Sequence, residues 1–336
     1  MTITRTAGRR SVAIAALVLG IGLTVGSLAA QSGAPAAGAT AERIRAVTVP
    51  QRGTPPTGPA AVVIEHDQTL ATHTIYRPAD LGGAKHGVVV WGEGGCAKNG
   101  LTFPEFLTEL ASHGFVIIAD GPPVENAGRR GAPGAGGPPV AGGPPAGAGP
   151  GRGPGPGRGA AMTDGSALIA AIDWIAKEGT DRSSRFYQKV DAGRVAAMGM
   201  SCGGLMSYGA SADPRVATVG IWNSGLIQPD EKIFGGLHSP VIIVTGGETD
   251  IAYANGKRDF DTMPAKVPVF YGVRPSVGHG GTYNEDNGGA FGVAALAWLK
   301  WQLMHDTSGS GRGYFVGANC GICTDATWQV AARGLP

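Results

Sequence analysis

The sequence predicts an α/β fold with a mostly parallel central sheet, two leading antiparallel strands and helices on both faces. Short apolar and β-branched runs alternate with segments of helical periodicity between residues 87 and 305. Several of these runs end in glycine-rich loops, as parallel strands do where they turn into helices. Two earlier β-branched runs, at residues 61–64 and 72–76, suit the antiparallel pair.

The alternating part contains six predicted strands and four predicted helices. The strands are predicted at 87–91, 115–119, 195–200, 216–222, 241–245 and 267–273. The helices are predicted at 103–110, at 167–177, from residue 202 onward, and at 290–305. Between the last two strands we expect a short irregular or helical stretch. Right-handed crossovers place the carboxyl ends of parallel strands at one edge, where functional groups collect.

Length and composition fit one catalytic domain, which we assign to residues 56–336. The chain has 336 residues, 43% hydrophobic and 15% charged, so a large apolar core is available. The formal net charge of +2 is too small to indicate a nucleic-acid partner. The oligomeric state does not follow from the sequence.

Residues 1–30 have the three parts of a signal peptide. Three arginines precede an apolar stretch at residues 12–25, and small residues at 27–30 suit a cleavage site. We therefore expect a secreted or periplasmic protein, no stable membrane association after cleavage, and a flexible linker at residues 31–55. The alternative is a single membrane anchor, because the apolar stretch nearly reaches the length that spans a bilayer.

Residues 121–161 are rich in Gly, Pro and Ala and contain few large apolar side chains. We interpret this segment as a disordered insertion in the catalytic domain, because it cannot bury a core of its own. Its four arginines leave an alternative, a flexible basic arm that contacts an acidic surface. We expect deletion of the insertion to leave activity nearly intact.

The sequence Gly199-Met200-Ser201-Cys202-Gly203 stands directly between a predicted strand and a predicted helix. In this context a G-x-S-x-G pattern indicates a nucleophile elbow, a strained turn that exposes the serine hydroxyl above the sheet. Gly199 and Gly203 leave room for the backbone to close. Taken alone, the pentapeptide also suits an ordinary glycine-rich turn, since short patterns recur by chance.

An acid and a histidine follow the serine on later loops. Asp250 comes after the strand at 241–245, and His279 comes after the next strand. The order Ser, Asp, His is that of the α/β-hydrolase fold, so the sequence predicts this fold. We expect Asp250 to hold the Nδ1 proton of His279 while Nε2 takes the proton of Ser201. Glu248 is the rival acid.

Backbone N–H groups are expected to stabilise the oxyanion of such a reaction. In this fold they belong to the residue after the nucleophile and to the loop after the third strand, here Cys202 and Glu93 or Gly94. Cys96 lies in that loop, so we expect a Cys96–Cys202 disulfide that holds the two segments together. Export makes disulfides the default state of cysteine.

The remaining cysteines, Cys320 and Cys323, are then expected to form a second disulfide. Spacing alone allows three pairings of the four cysteines. The Cys-x-x-Cys spacing also occurs in zinc sites and redox pairs, but no second pair or His cluster in the sequence completes a metal set. We predict no metal and no cofactor.

Several segments resemble the polyester hydrolase and cutinase-like branch of the α/β-hydrolases, and also esterases of the dienelactone hydrolase type. They are residues 88–94, 110–115, 189–191, 249–252 and 278–279 with the helix that follows. The resemblance covers residues 61–323 apart from the insertion and implies an esterase.

The resemblance also implies substrate-binding residues. Trp222 resembles the substrate-contacting tryptophan of that family, and Met200 is placed to shape the cleft. A core position is the alternative for Trp222. The family often has aromatic residues where this chain has Glu93 and Met200, so an aromatic platform for polymer rings is not predicted.

Together these observations predict a metal-independent serine esterase that acts through an acyl-enzyme on small-molecule or polymeric esters. Hydrolysis of amides or lactones by the same chemistry is an alternative. An exported binding protein on a degenerate hydrolase fold is a second alternative, against which the intact order of serine, acid and histidine argues. The natural ester does not follow from the sequence.

Overall fold

The structure of the protein is a computed structural model that describes residues 43–50, 52–125 and 162–336. The predicted signal peptide, residues 31–42 and 51 of the predicted linker, and residues 126–161 of the insertion lie outside the described residues. The strands are β1 (Ile44–Val47), β2 (Val62–Asp67), β3 (His73–Pro78), β4 (His86–Gly92), β5 (Val116–Asp120), β6 (Val190–Met200), β7 (Val216–Trp222), β8 (Val241–Thr245), β9 (Val269–Val273) and β10 (Gln329–Arg333). The helices are α1 (Pro104–Ser112), α2 (Ser166–Thr180), α3 (Cys202–Ala210), α4 (Glu231–Gly236), α5 (Tyr253–Thr262) and α6 (Gly289–Met304).

The strands of the described part form one sheet in the order β1-β2-β3-β5-β4-β6-β7-β8-β9-β10. The six strands from β4 to β9 run parallel to one another. Antiparallel strands flank them, with β1, β2 and β3 on one side and β10 on the other. The predicted α/β class with a mostly parallel sheet is therefore confirmed.

Helices cover both faces of this sheet because alternate side chains of each strand point to opposite sides. In β4, Val88 and Val90 belong to a core with α2, α3 and α5, whereas Val89 and Trp91 belong to a core with α1 and α6. Strands that are buried on both faces read as continuous apolar runs, as β8 does. None of the described helices has the length and hydropathy needed to cross a bilayer.

The structure corrects three predictions of organisation. The interpretation of residues 31–55 as a linker is wrong for 44–47, which form β1 and pair with β2. The antiparallel strands before β4 therefore number three rather than two in the described part. The insertion begins later than residue 121, because the Gly121 N–H donates to the Thr72 carbonyl and the Val124 N–H to Asn99 Oδ1.

Candidate active site

Ser201 lies in a sharp turn between β6 and α3. Its φ of 53° and ψ of −114° fall in a region that non-glycine residues rarely adopt. The Ser201 N–H donates to the Trp222 carbonyl over 2.8 Å, and α3 begins at the next residue. The side chain is half-buried at the carboxyl edge of the parallel strands.

Glycine at the positions on either side of Ser201 lets α3 approach the end of β4. A Cβ at Gly203 would lie 1.9 Å from the Gly92 carbonyl oxygen, and a Cβ at Gly199 would lie 2.4 Å from the Gly203 backbone. Backbone atoms cannot yield by that much without displacing a strand or the helix. The two glycines of the G-x-S-x-G sequence are therefore required for close backbone approach.

Ser201, His279 and Asp250 form one hydrogen-bonded chain. His279 Nε2 lies 3.0 Å from Ser201 Oγ, and His279 Nδ1 lies 2.6 Å from Asp250 Oδ1. Asp250 follows β8 and His279 follows β9, which are adjacent parallel strands. The rival acid, Glu248, is exposed, whereas the Asp250 side chain is buried against His279. The predicted set of three side chains thus meets at one edge of the sheet.

The acid loop and the histidine loop contact each other through their backbones. The Gly278 N–H donates to the Gly246 carbonyl over 3.0 Å. A Cβ at Gly246 would lie 1.8 Å from the Gly278 carbonyl oxygen, so only glycine permits this contact. Because Gly278 precedes the histidine, the contact fixes the distance between the two loops.

Asp250 is held as a carboxylate by its hydrogen bonds. Burial raises the pKa of Asp250, but the donors around it outweigh burial and the net pKa lies below the ordinary value. These donors are His279, the backbone N–H groups of Gly246 and Ala252, each at 2.9 Å, and the Asn223 side-chain amide at 2.7 Å. An ionised acid at this place can orient the imidazole and stabilise its protonated form.

The residues expected to supply oxyanion donors lie on two segments that a disulfide joins. Cys96 and Cys202 are bonded, with 5.2 Å between their Cα atoms, and Gly94 begins a short 3₁₀ turn in the same loop. The second predicted disulfide, Cys320–Cys323, is also present. Both predicted pairings are therefore confirmed.

The Glu93 side chain is fully buried in the protein. Burial raises the pKa of Glu93 well above its ordinary value, and the nearby Asp120 raises it further. Trp91 and Thr102 lie beside the carboxyl group and lower its pKa by less. The expected part of Glu93 in oxyanion binding belongs to its backbone N–H group and does not involve this buried side chain.

The prediction that Met200 and Trp222 bind substrate is wrong, because neither offers surface to a ligand. Trp222 is 0% exposed and contacts the rings of Phe106 and Phe291, so the core alternative is confirmed for it. Met200 is 1% exposed. Its Sδ packs against Gly94, so closely that a Cβ added at Gly94 would lie 2.5 Å from it. Both side chains belong to the core that α1 and α6 form on one face of the sheet.

Three polar residues at the site were not predicted. The Asn223 side chain contacts Asp250, the Tyr283 hydroxyl contacts Asn223, and Ser224 Oγ donates to the Ser201 carbonyl over 2.6 Å. Asn223 and Ser224 directly follow β7, at the same edge of the sheet as the acid and the histidine. Their position directly after a parallel strand could have identified them as candidate site residues from the sequence.

A cavity of about 320 Å³ lies elsewhere, between β1, β2 and the start of α1. Its lining does not include Ser201, Asp250 or His279. Among the described residues, no three or more His, Cys, Asp and Glu side chains are grouped in a way that could hold a metal ion.

The chain matches no protein-family model, and no curated protein matches it significantly. The function is therefore inferred from the geometry of the site.

Proposed function

We propose that this chain is a serine hydrolase of the α/β-hydrolase fold that cleaves carboxylic esters through an acyl-enzyme. The observation that carries the proposal is the hydrogen-bonded chain from Ser201 through His279 to Asp250. A serine on one side of an imidazole and a buried carboxylate on the other form the arrangement that activates a hydroxyl for attack. The strained backbone of Ser201 and its place before a helix support the same reading.

The first half of the reaction forms the acyl-enzyme. Ser201 Oγ attacks the carbonyl carbon of the ester, its proton passes to His279 Nε2, and the carbonyl electron pair moves to oxygen. We assign the N–H groups of Cys202 and of Glu93 or Gly94 as donors to this oxyanion. The bond to the leaving oxygen then breaks, and His279 gives its proton to the departing alcohol.

The second half releases the acid. His279 Nε2 takes a proton from water, and the hydroxide attacks the acyl carbon bonded to Ser201. Collapse of the second tetrahedral intermediate breaks the bond to Oγ, which recovers its proton from His279. Asp250 remains a carboxylate throughout and stabilises the imidazolium in both halves.

The proposed substrates are small-molecule or polymeric esters, and the proposed location is outside the cytoplasm. The signal-like first 30 residues and the two disulfides support export, because disulfides persist in oxidising compartments. Trp222 and Met200 are buried, so neither side chain offers a contact surface to a polymer ring. Aliphatic or small esters are therefore the first substrates to test.

Covalent labelling by a fluorophosphonate tests the proposed nucleophile. The activated hydroxyl displaces fluoride from phosphorus, so we expect the wild-type protein to be labelled and Ser201→Ala to remain unlabelled. We expect His279→Ala to be labelled at least about a thousandfold more slowly, because the serine loses its base. Ser211→Ala is the control, since it removes a buried hydroxyl that donates to the Tyr208 carbonyl. A folded wild-type protein that takes no label would contradict the proposal.

A substrate panel tests the leaving group. We expect kcat/KM on aryl and alkyl esters to exceed that on lactones and peptides, with Ser201→Ala as the blank in every assay. Faster turnover of peptides or lactones would reject ester hydrolysis while retaining the serine mechanism.

A further inference from the structure

The loop after β7 carries a polar group behind the candidate acid that the proposed reaction does not use. We propose that Asn223 is a positioning residue for Asp250, and that Tyr283 sets the orientation of the Asn223 amide. This inference rests on the proposed function, because it concerns how the acid of that site is held.

The Asn223 amide joins the acid loop to the histidine loop. Its Nδ2 lies 2.7 Å from Asp250 Oδ2 and 3.1 Å from the Gly278 carbonyl oxygen. A primary amide has two N–H donors, so one serves the acid and the other serves the residue before His279. Asn223 is 0% exposed, and water therefore does not compete for either donor.

Tyr283 gives the amide a defined orientation. Its hydroxyl lies 2.6 Å from Asn223 Oδ1, and burial raises the pKa of Tyr283 well above the ordinary value, so the phenol keeps its proton. The phenol can therefore donate to Oδ1 and not to Nδ2. A flipped amide would turn Oδ1 toward the carboxylate and leave two acceptors in contact, which is unfavourable in a buried site.

Asn223 acts on one oxygen of Asp250 while His279 contacts the other. Oδ2 accepts from Asn223 and from the Gly246 N–H at 2.9 Å, and this holds the carboxylate against rotation. Oδ1 is then directed at His279 Nδ1, 2.6 Å away. The Gly246 donor belongs to the backbone, so Asn223 is the donor to Oδ2 that a substitution can remove.

The backbone of Asn223 suits this residue type and guides the choice of variants. Its φ of 42° lies in the left-handed region, where Asn, Asp and Gly are better tolerated than other residues. Asn223→Gly therefore removes the amide without adding backbone strain. Asn223→Asp keeps the shape and replaces the donor by a carboxyl group.

The expected effects follow from the groups around Asp250. Its ionisable neighbours are His279, Tyr283 and Tyr271, and burial raises the pKa of Tyr271 to about 12, so both phenols stay neutral near pH 7. Loss of the Asn223 donor leaves more negative charge on the oxygens of Asp250. The imidazole of His279 then takes up its proton at a higher pH, and the acid limb of kcat/KM moves upward in pH.

The test combines steady-state kinetics with NMR of histidine-labelled protein. We expect Asn223→Gly to lower kcat about ten- to hundredfold with little change in KM, because it removes a hydrogen bond to a charged group. The His279 titration should move to higher pH. We expect Tyr283→Phe to lower kcat and to move the His279 titration to higher pH, each by less than Asn223→Gly does.

Asn223→Asp gives a pH signature that a purely structural role would not produce. Two carboxyl groups at this distance cannot both ionise readily, so the pair shares a proton at acid pH and that proton replaces the amide donor. The proton is lost as the pH rises, and repulsion then disturbs Asp250. We expect kcat/KM of this variant to rise and fall with pH, whereas that of the wild type rises to a plateau.

Thr218→Val is the control, on the strand β7 that precedes Asn223. It removes two hydrogen bonds of a buried hydroxyl, one accepted from the Trp298 indole and one donated to the Pro240 carbonyl, each 2.8 Å long. We expect lower stability with an unchanged His279 titration. A titration that moves as far in Thr218→Val as in Asn223→Gly would overturn the proposal, and so would an unchanged titration in both Asn223→Gly and Tyr283→Phe. A titration that shifts as expected in a protein that cleaves no ester would support Asn223 positioning and reject the ester hydrolase assignment.

Discussion

At Ser201 the backbone conformation suits glycine better than serine. A φ of 53° with a ψ of −114° costs a residue with a Cβ about 1–3 kcal/mol. We therefore predict that Ser201→Gly is more stable than Ser201→Ala by about 1 kcal/mol, after the greater freedom of the unfolded glycine chain is subtracted. Both variants lack the hydroxyl, so their difference isolates the backbone. Urea unfolding of the two proteins measures it.

Ser211 provides the control for this comparison. Its φ of −64° and ψ of −21° are helical, so the sign should reverse and Ser211→Gly should be less stable than Ser211→Ala. Equal stability of the two Ser201 variants would mean that the turn carries no strain.

At the scale of single residues, the sequence predicted the side chains that are themselves reacting groups. Ser201, Asp250 and His279 were found because each follows a strand, and because serine, acid and histidine in that order have one common use. Asn223 occupies an equivalent place but was missed, since an amide is not itself a reacting group. Trp222 was wrongly given a substrate contact, because position along the chain does not fix exposure.

At the scale of elements, the Cys96–Cys202 disulfide joins the loop after β4 to the start of α3. It closes a loop with a sequence separation of 106 residues, whereas Cys320–Cys323 spans 3. From the chain-entropy model we predict that the double variant Cys96→Ser/Cys202→Ser loses about 4.7 kcal/mol of the free energy of unfolding. The double variant of Cys320 and Cys323 should lose less than about 2 kcal/mol. Urea unfolding midpoints of the two double variants test this difference.

The two disulfides should also differ in their effect on activity. Under conditions where both double variants are folded, we expect the first to hydrolyse esters more slowly. One assigned oxyanion donor is the N–H of residue 202 itself, and the other belongs to the loop that contains Cys96. The second disulfide lies at the far end of the chain and should not affect turnover. Equal losses of stability and activity in both variants would contradict the expected part of the first disulfide.

The elements that the sequence predicted well are those with many buried residues. β7 and β8 match the predicted ranges because all or nearly all of their residues are buried and apolar. β1 was not predicted because two of its four residues are exposed, which removes the apolar pattern. It is an edge strand that pairs with β2. β10 was not predicted for the same reason, since three of its five residues are exposed.

At the scale of the whole molecule, one sheet carries two cores. Ile172 of α2 packs in the core on one face, and Leu299 of α6 packs in the core on the other. Because every parallel strand contributes to both, neither face can lose its packing without disturbing the strands that support the other. The residues of the site sit on loops from these same strands, so their alignment depends on both cores.

We therefore predict that either core, when weakened, lowers the stability of the whole described domain in one transition. Ile172→Ala and Leu299→Ala each remove a side chain that is 0% exposed and should each cost about 2–5 kcal/mol. Tryptophan fluorescence and far-UV circular dichroism should give coincident urea transitions in both variants. Val293→Ala, at a position of α6 that is 53% exposed, should change stability by less than about 0.5 kcal/mol. Separate transitions for the two probes would mean that the faces unfold independently, and loss of ester hydrolysis would then follow only one of them.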